Sequence, residues 1–313
     1  GGDSSLLRAT SDGTVALHCL ERWGEEALGR FLGPFALCLV DFRAQSMLVA
    51  RDPLGDRALV FHLSRRLFVV GTDEAALLQH PAVRADLDDT SVALYFALRP
   101  PVAGATLFRD IRELVPGSSM RVGHTHESSS VFWRPPAERS AWRRPDAEYV
   151  DEFREILTAS VKAALRCPGP PAALMSGGLD STTVVAVASG ALKESGSATP
   201  MRTISWVFDE IRECDERRWI DVMVRAFGLR SVTFPGDGYW PLRDFSSWPT
   251  WAGGPERNPY RMLKGRAYAE AARHGHRVLL IGASGAQIYI RWRNALASMI
   301  TQHVVQCSVQ QVG

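Results

Sequence analysis

Short apolar runs alternate with polar breaks over the first part of the chain. Residues 35–40 and 46–50 are two such runs around the polar segment 41–45, which is the pattern of a β-hairpin. Residues 58–61 and 67–70 form another pair, with polar Ser64, Arg65 and Arg66 between them. Between 15 and 31 the apolar positions Val15, Leu17, Leu20, Trp23, Ala27, Leu28 and Phe31 recur mostly at intervals of three and four, which predicts one amphipathic helix. A shorter helix is expected over 90–98, with Asp89 or Thr90 as its cap. A meander of strands with flanking helices is an α+β layer arrangement.

Beyond residue 147 the pattern changes to strict alternation of the two element types. Helices are expected over 148–165, 181–191, 215–227 and 260–274, and strands over 172–175, 201–208, 231–234 and 277–281. Such alternation implies crossover connections and a parallel sheet. Between the two regions lies RPPAERSAWRRP, rich in proline and charge and poor in core formers, which reads as a linker. The expected organisation is therefore a first domain over 1–133, a linker over 134–146 and an α/β domain over 147–313.

Composition narrows the function classes. The 313 residues suffice for two domains, and 46% apolar with 22% charged residues is the composition of a globular chain. A net charge of +2 gives no reason to expect nucleic acid as a partner, and no stretch has the length of a membrane helix. Five scattered cysteines with no C-x-x-C pair argue against zinc and against a disulfide framework, and a reducing cytoplasm fits them.

The candidate chemistry centres on Ser176-Gly177-Gly178-Leu179-Asp180-Ser181, set between an expected strand end and helix start. Open α/β sheets bind ligands outside the carboxyl ends of their strands. Two glycines permit a tight turn, and the amides of the next helix complete a phosphate cradle. Ser176, Ser181 and Thr182 add hydroxyls. Asp180 suits a phosphate site only if a cation such as Mg²⁺ lies between the two. The plain alternative is a strand–turn–helix whose glycines serve geometry alone. The string is neither a Walker loop, which needs a lysine, nor a G-x-G-x-x-G dinucleotide turn.

S-G-G-L-D-S resembles the pyrophosphate loop of ATP pyrophosphatases, and its surroundings resemble glutamine-dependent asparagine synthetases, with β-lactam synthetases and lasso-peptide cyclases as relatives. In the first domain Ser11-Asp12-Gly13-Thr14, Trp23-Gly24-Glu25-Glu26, Gly33-Pro34-Phe35-Ala36, Ala50-Arg51-Asp52-Pro53-Leu54-Gly55 and Leu114-Val115-Pro116-Gly117 follow the family's order. The resemblance implies an N-terminal-nucleophile glutaminase-like sandwich, incomplete at its start, followed by an ATP pyrophosphatase domain.

Carried over, it implies an ATP-dependent ligase that adenylates aspartate or a related acid, releases pyrophosphate and lets ammonia or an amine attack. Ser176, Gly177, Gly178, Asp180 and Ser181 would hold pyrophosphate, with Asp180 on Mg²⁺. Leu174, Met175 and Val207 would line the adenosine pocket, and Gly282 and Gly285 would approach the α-phosphate. Val207 also reads as ordinary core. Asp215 and Glu216 match the family's D-E pair, and carboxylates at a helix start also suit the helix dipole. Asp12 would grip the amino group of glutamine, with a structural role as its alternative. A homodimer is among the states the family allows.

The sequence departs from the family in three places. It opens on Gly1-Gly2 where a processed cysteine is expected, Ala286 and Gln287 replace the aspartate and glutamate after Gly285, and residues from 288 on do not resemble the family's helical remainder with its late lysine. The reading is a chain truncated at both ends with its last stretch out of frame, or a degenerate paralogue. Three functions stay open: a ligase of this family, a nucleotide-binding pseudoenzyme, and another ATP pyrophosphatase class such as a tRNA-modifying thiolation enzyme or a lone cyclase.

Overall fold

The computed structural model describes residues 10–124, 126–135, 144–167, 169–197, 199–240, 243–247, 260–282 and 308–311. The described elements fall into two compact units on either side of Pro135. Most of the expected linker, residues 136–143, lies outside the described residues.

In the first unit, α1 (Asp12–Trp23) starts at Ser11, whose hydroxyl accepts the Thr14 amide. The single helix expected over 15–31 is instead two pieces. Gly24 ends α1 with φ of 59°, and a 3₁₀ turn continues over Gly24–Arg30. The hairpin is β1 (Ala36–Asp41) with β2 (Ser46–Arg51), and the second pair is β3 (Val60–Leu63) with β4 (Phe68–Gly71), both antiparallel. A short α2 (Glu74–Leu78) follows. Then comes α3 (Asp89–Phe96), capped by Asp88 and not by the expected Asp89 or Thr90, through a 2.7 Å bond from the Ser91 amide.

The meander does not form one sheet. The two hairpins separate, because β6 (Ser118–Gly123) and β7 (Glu127–Val131) extend the first as β1-β2-β6-β7, while β5 (Arg112–Glu113) extends the second as β4-β3-β5. Alternation along β2 sets the layers. Leu48 and Ala50 face α1 and the 3₁₀ turn, while Val49 faces the other way and packs with Phe61 and Met120 between the sheets. Val60 and Leu77 close the outer side of the second sheet. The order of layers is helix, sheet, sheet, helix.

Three of the motifs that carried the resemblance meet in space in this unit. Asp52 is 1% exposed; its carboxylate accepts the amides of Leu54, Asp56 and Arg57, and its carbonyl accepts that of Gly117. Its own amide donates to Phe35. Arg51 donates to the carbonyls of Arg57, Gly55 and Leu114 and pairs with Glu113 at 2.7 Å. Gly55 has φ of +70°, and a Cβ there would come within 2.7 Å of Pro116. The segments at 33–36, 50–55 and 114–117 are therefore one knot. Arg51→Met should destabilise this unit by about 3 kcal/mol, since it strands three carbonyls and one carboxylate. Thermal or denaturant unfolding measures the loss.

The second unit is a sheet of order β10-β9-β8-β11-β12, built from β8 (Ala172–Leu174), β9 (Arg202–Val207), β10 (Arg230–Pro235), β11 (Val278–Ile281) and β12 (Ser308–Gln311). The first four are parallel, as expected. The edge strand β12 is antiparallel to β11, a departure from the all-parallel expectation. The helices are α4 (Asp146–Ala164), α5 (Leu179–Glu194), α6 (Arg217–Phe227) and α7 (Arg261–Arg273).

Neighbouring residues of each strand supply opposite faces. Ala173 and Leu280 pack with Val161 of α4, Val185 of α5 and Ile220 of α6, while Ala172 and Leu279 pack with Ala267 and Ala271 of α7. Small alanines at 172 and 173 let both helical layers approach the central strand closely. Among the described residues no helix is long and apolar enough to cross a membrane.

Candidate functional site

Strand order decides where a ligand fits. From β8 the chain moves to β9 and β10 on one side, then returns to place β11 on the other. The crevice outside the carboxyl ends of β8 and β11 is thus a topological switch point, the usual place for a ligand in an open α/β sheet. The turn 175–181 leaves β8 at this point, and Gly282 follows β11 directly beside it.

The turn is anchored from below. The Met175 amide donates to the Ile204 carbonyl at 2.9 Å, and the Ser205 hydroxyl donates to the Met175 carbonyl at 2.6 Å. Ser205, fully buried, did not stand out in the sequence, because a serine in a strand carries no local signal of a partner two segments away. Ser176 and Ser181 face each other, with their hydroxyl oxygens 3.0 Å apart. The Ser176 amide donates to Ser181 Oγ at 3.0 Å, and the Gly178 amide to Ser176 Oγ at 3.2 Å. Thr182 Oγ1 donates to the Gly178 carbonyl at 2.9 Å. These hydroxyls brace the turn itself.

The two glycines of the turn differ in what surrounds them. Neither Gly177 nor Gly178 has a positive φ; Gly178 sits at −76° as the N-cap of α5. Gly177 is needed for close approach, since a Cβ there would lie 2.8 Å from Trp219 Cβ and 2.9 Å from Glu216 Cβ. Gly282 is tighter still: a Cβ would stand 2.5 Å from the Ser181 amide nitrogen and 2.6 Å from the Asp180 carbonyl carbon.

The first turn of α5 lacks a side-chain cap because its N-cap is glycine. Amides in that position are the donors a helix presents to an anion, with the helix dipole behind them. Asp180 lies in this same first turn, partly exposed. Among the described residues no group of three or more metal-ligating side chains gathers. The partly exposed Asp180 carboxylate suits Mg²⁺ shared with phosphate oxygens better than a metal held in a protein cage.

Asp215 and Glu216 do not lie within the helix, as the sequence suggested, since α6 begins at Arg217. Asp215 serves the connection from β9, and Glu216 reaches across to the turn after β8. Asp215 Oδ1 accepts the Phe208 amide at 3.1 Å, and Glu216 Oε2 accepts the Gly177 amide at 3.1 Å. Asp237, which the sequence reading passed over, accepts the amides of Asp209, Glu210 and Ile211 at 2.9, 2.9 and 3.2 Å. An aspartate just after a strand and a glycine could have been read as a turn former, but not its target.

The amide of Asp209 above all, then those of Glu210 and Ile211, holds the Asp237 carboxyl below the ordinary carboxylate range against partial desolvation. A depressed pKa contributes stability that is complete above the unfolded value, ~3.9, and is lost as pH falls through the lower folded value. The amide resonances of 209–211 should therefore move together in that acid window, and in Asp237→Asn they should lose this titration.

Of the remaining expected site residues, Leu174 is half-buried, while Met175 and Val207 are buried in the core beneath the turn. The crevice brings 174–181 together with Gly282 and Glu216. Gly285, Ala286 and Gln287 lie outside the described residues. In the first unit Asp12 is an exposed residue in the first turn of α1, where a carboxylate suits the helix dipole.

A doubly wound sheet with an uncapped helix start at its switch point, preceded by a unit of two antiparallel sheets, defines a two-domain protein whose second domain is of the open α/β class. Comparison with known families takes the assignment further. Residues 2–133 match the glutamine amidotransferase domain, and residues 152–289 match the asparagine synthase family. The chain is 28% identical over 229 residues to asparagine synthetase (glutamine-hydrolyzing) 3 of Bacillus subtilis, which covers 70% of this chain and 37% of that protein. It is 23% identical over 239 residues to a putative asparagine synthetase (glutamine-hydrolyzing) 2 of Methanocaldococcus jannaschii, covering 75% of this chain and 44% of that protein. The chain belongs to the asparagine synthetase family, and it spans less than half the length of these curated relatives.

Proposed function

We propose that the second unit binds ATP with its triphosphate at the 176–181 turn and activates a carboxylate by adenylation. The carboxylate oxygen attacks the α-phosphorus, the bond to the β-phosphate oxygen breaks, and pyrophosphate leaves. Ammonia or an amine then attacks the acyl carbon, forming an amide with loss of AMP and a proton. The observation that carries this reading is the uncapped first turn of α5 at the switch point, braced beneath by Ser176, Ser181 and Ser205.

The residues have separable tasks. First-turn amides at 179–181 would take the β- and γ-phosphate oxygens, and Asp180 would hold Mg²⁺, which supplies charge neutralisation for the departing pyrophosphate. Gly282 keeps β11 close enough for the α-phosphate to sit between the strand end and the turn. Leu174 and the end of β9 at Val207 would border adenine, Val207 from within the core. In this account the Ser176 and Ser181 hydroxyls shape the cradle more than they touch phosphate.

Aspartate is the acid suggested by the relatives, and domain boundaries at 133 and 147 remain part of the proposal. A second reading, nucleotide binding without turnover, is favoured by one observation: Ala286 and Gln287 stand where carboxylates were expected. ATP-dependent pyrophosphate release, screened with aspartate and other carboxylic acids, tests the first reading. Acid-dependent release supports it, and measurable ATP binding with no release under any acid would replace it with the second.

A further inference from the structure

We infer that Glu216 is a positioning residue that ties the β9–α6 connection to the pyrophosphate turn and holds the turn in its anion-accepting shape. The inference rests on the ATP reading above for its purpose, but its geometry stands separately. Glu216 occupies the N-cap position of α6 yet makes no cap; its carboxylate turns away from its own helix and accepts the Gly177 amide. Its Cβ and carbonyl oxygen also form the wall against which Gly177 packs, a wall that leaves no space for a side chain there.

The segment that delivers Glu216 is itself pinned along its length. Asp237 takes the amides of 209–211, Asp215 takes the amide of Phe208, and Arg217 pairs with Asp209 at 2.7 Å. Asp237, Asp215 and Glu216 thus each accept backbone amides, while the exposed Asp209 pairs with Arg217. The Gly177 amide is held by Glu216, and the Ser176 and Gly178 amides by the two serines, so three successive amides of the turn are fixed without a ligand. Preorganised donors are what an anion site needs, because no reorganisation is then required on binding. The Gly177 amide directs its hydrogen onto the Glu216 carboxylate, a charge-assisted bond stronger than one to a neutral acceptor.

The opposite role is also a physical possibility: Glu216 could be a stand-in anion that ATP must displace. Two variants of the full chain, Glu216→Ala and Glu216→Gln, separate the roles through two readouts. One is exchange of the Gly177 amide hydrogen by NMR, and the other is the dissociation constant for Mg-ATP by calorimetry. A tether predicts that Glu216→Ala speeds Gly177 exchange and weakens Mg-ATP by about tenfold or more. Glu216→Gln, which keeps a carbonyl acceptor, should restore both to within about threefold.

Unchanged or tighter binding in Glu216→Ala would overturn the tether. If the wild-type chain binds no ATP, the functional reading fails, and Gly177 exchange alone decides: exchange unaltered by Glu216→Ala overturns the inference as well. Should Glu216→Ala not fold, Glu216→Asp, whose carboxylate falls short of Gly177, takes its place with the same expected losses.

Discussion

Gly282→Ala is expected to abolish nucleotide binding and to destabilise the second unit by about 3 kcal/mol. The atoms a methyl group would strike are the Ser181 amide nitrogen at 2.5 Å and the Asp180 carbonyl carbon at 2.6 Å, both backbone. A flexible side chain could swing aside, but the first turn of a helix cannot. Relief requires α5 to slide away from β11, and α5 is fixed by Val184, Val185 and Ala188 in the core beneath. The first-turn amides would move with it, out of line with the phosphate they are meant to receive. Gly178→Ala is the control. Its Cβ would approach only Ser176 Oγ, at 3.3 Å, and a hydroxyl can give by a few tenths of an ångström. Unfolding curves and nucleotide titrations of the two variants should therefore diverge sharply. Equal, mild effects would mean that β11 does not press on the turn.

Asp180→Asn is expected to lower affinity for ATP about a hundredfold when Mg²⁺ is present. With the metal chelated, the same variant should bind ATP as well as wild type or better, because a negative charge beside the triphosphate has gone. The sign reversal is the informative feature: a carboxylate that served only the dipole of α5 would show no dependence on metal. Stability should fall by only about 0.5 kcal/mol, the value of an acidic residue in a first helical turn. Calorimetric titrations with and without chelator measure both arms.

What the sequence made legible follows from where its signals are local. Two hairpins, four parallel strands and their helices were readable because apolar periodicity reports burial directly. The S-G-G-L-D-S string was readable because unusual residues stand together at an element boundary. Partnerships across the chain were not. Arg51 and Asp52 tie together segments up to 65 positions apart through backbone carbonyls and amides, which leave no mark on the partner's identity.

The separation of the two hairpins into different sheets was invisible for a similar reason. Strands β6 and β7 decide it, and Ser118–Gly123 and Glu127–Val131 are rich in serine and poor in apolar alternation. The break at Gly24 was missed because apolar spacing continues unbroken through a change from α to 3₁₀ winding. At the candidate site, the turn stands between strand and helix as expected, while what its glycines pack against was not legible. Gly177 is required by Trp219 and Glu216, forty residues onward, and not by its own backbone angles. Glu216 looked like a dipole partner of its helix, and only the fold shows that it reaches to another turn.

The most direct test is a crystal structure of the chain with Mg²⁺ and a non-hydrolysable ATP analogue. The account predicts β- and γ-phosphate oxygens on the amides of Leu179, Asp180 and Ser181, the metal on Asp180, and Gly177 still bonded to Glu216. A nucleotide seated elsewhere, or a saturating analogue that leaves the crevice between β8 and β11 without density, would contradict it.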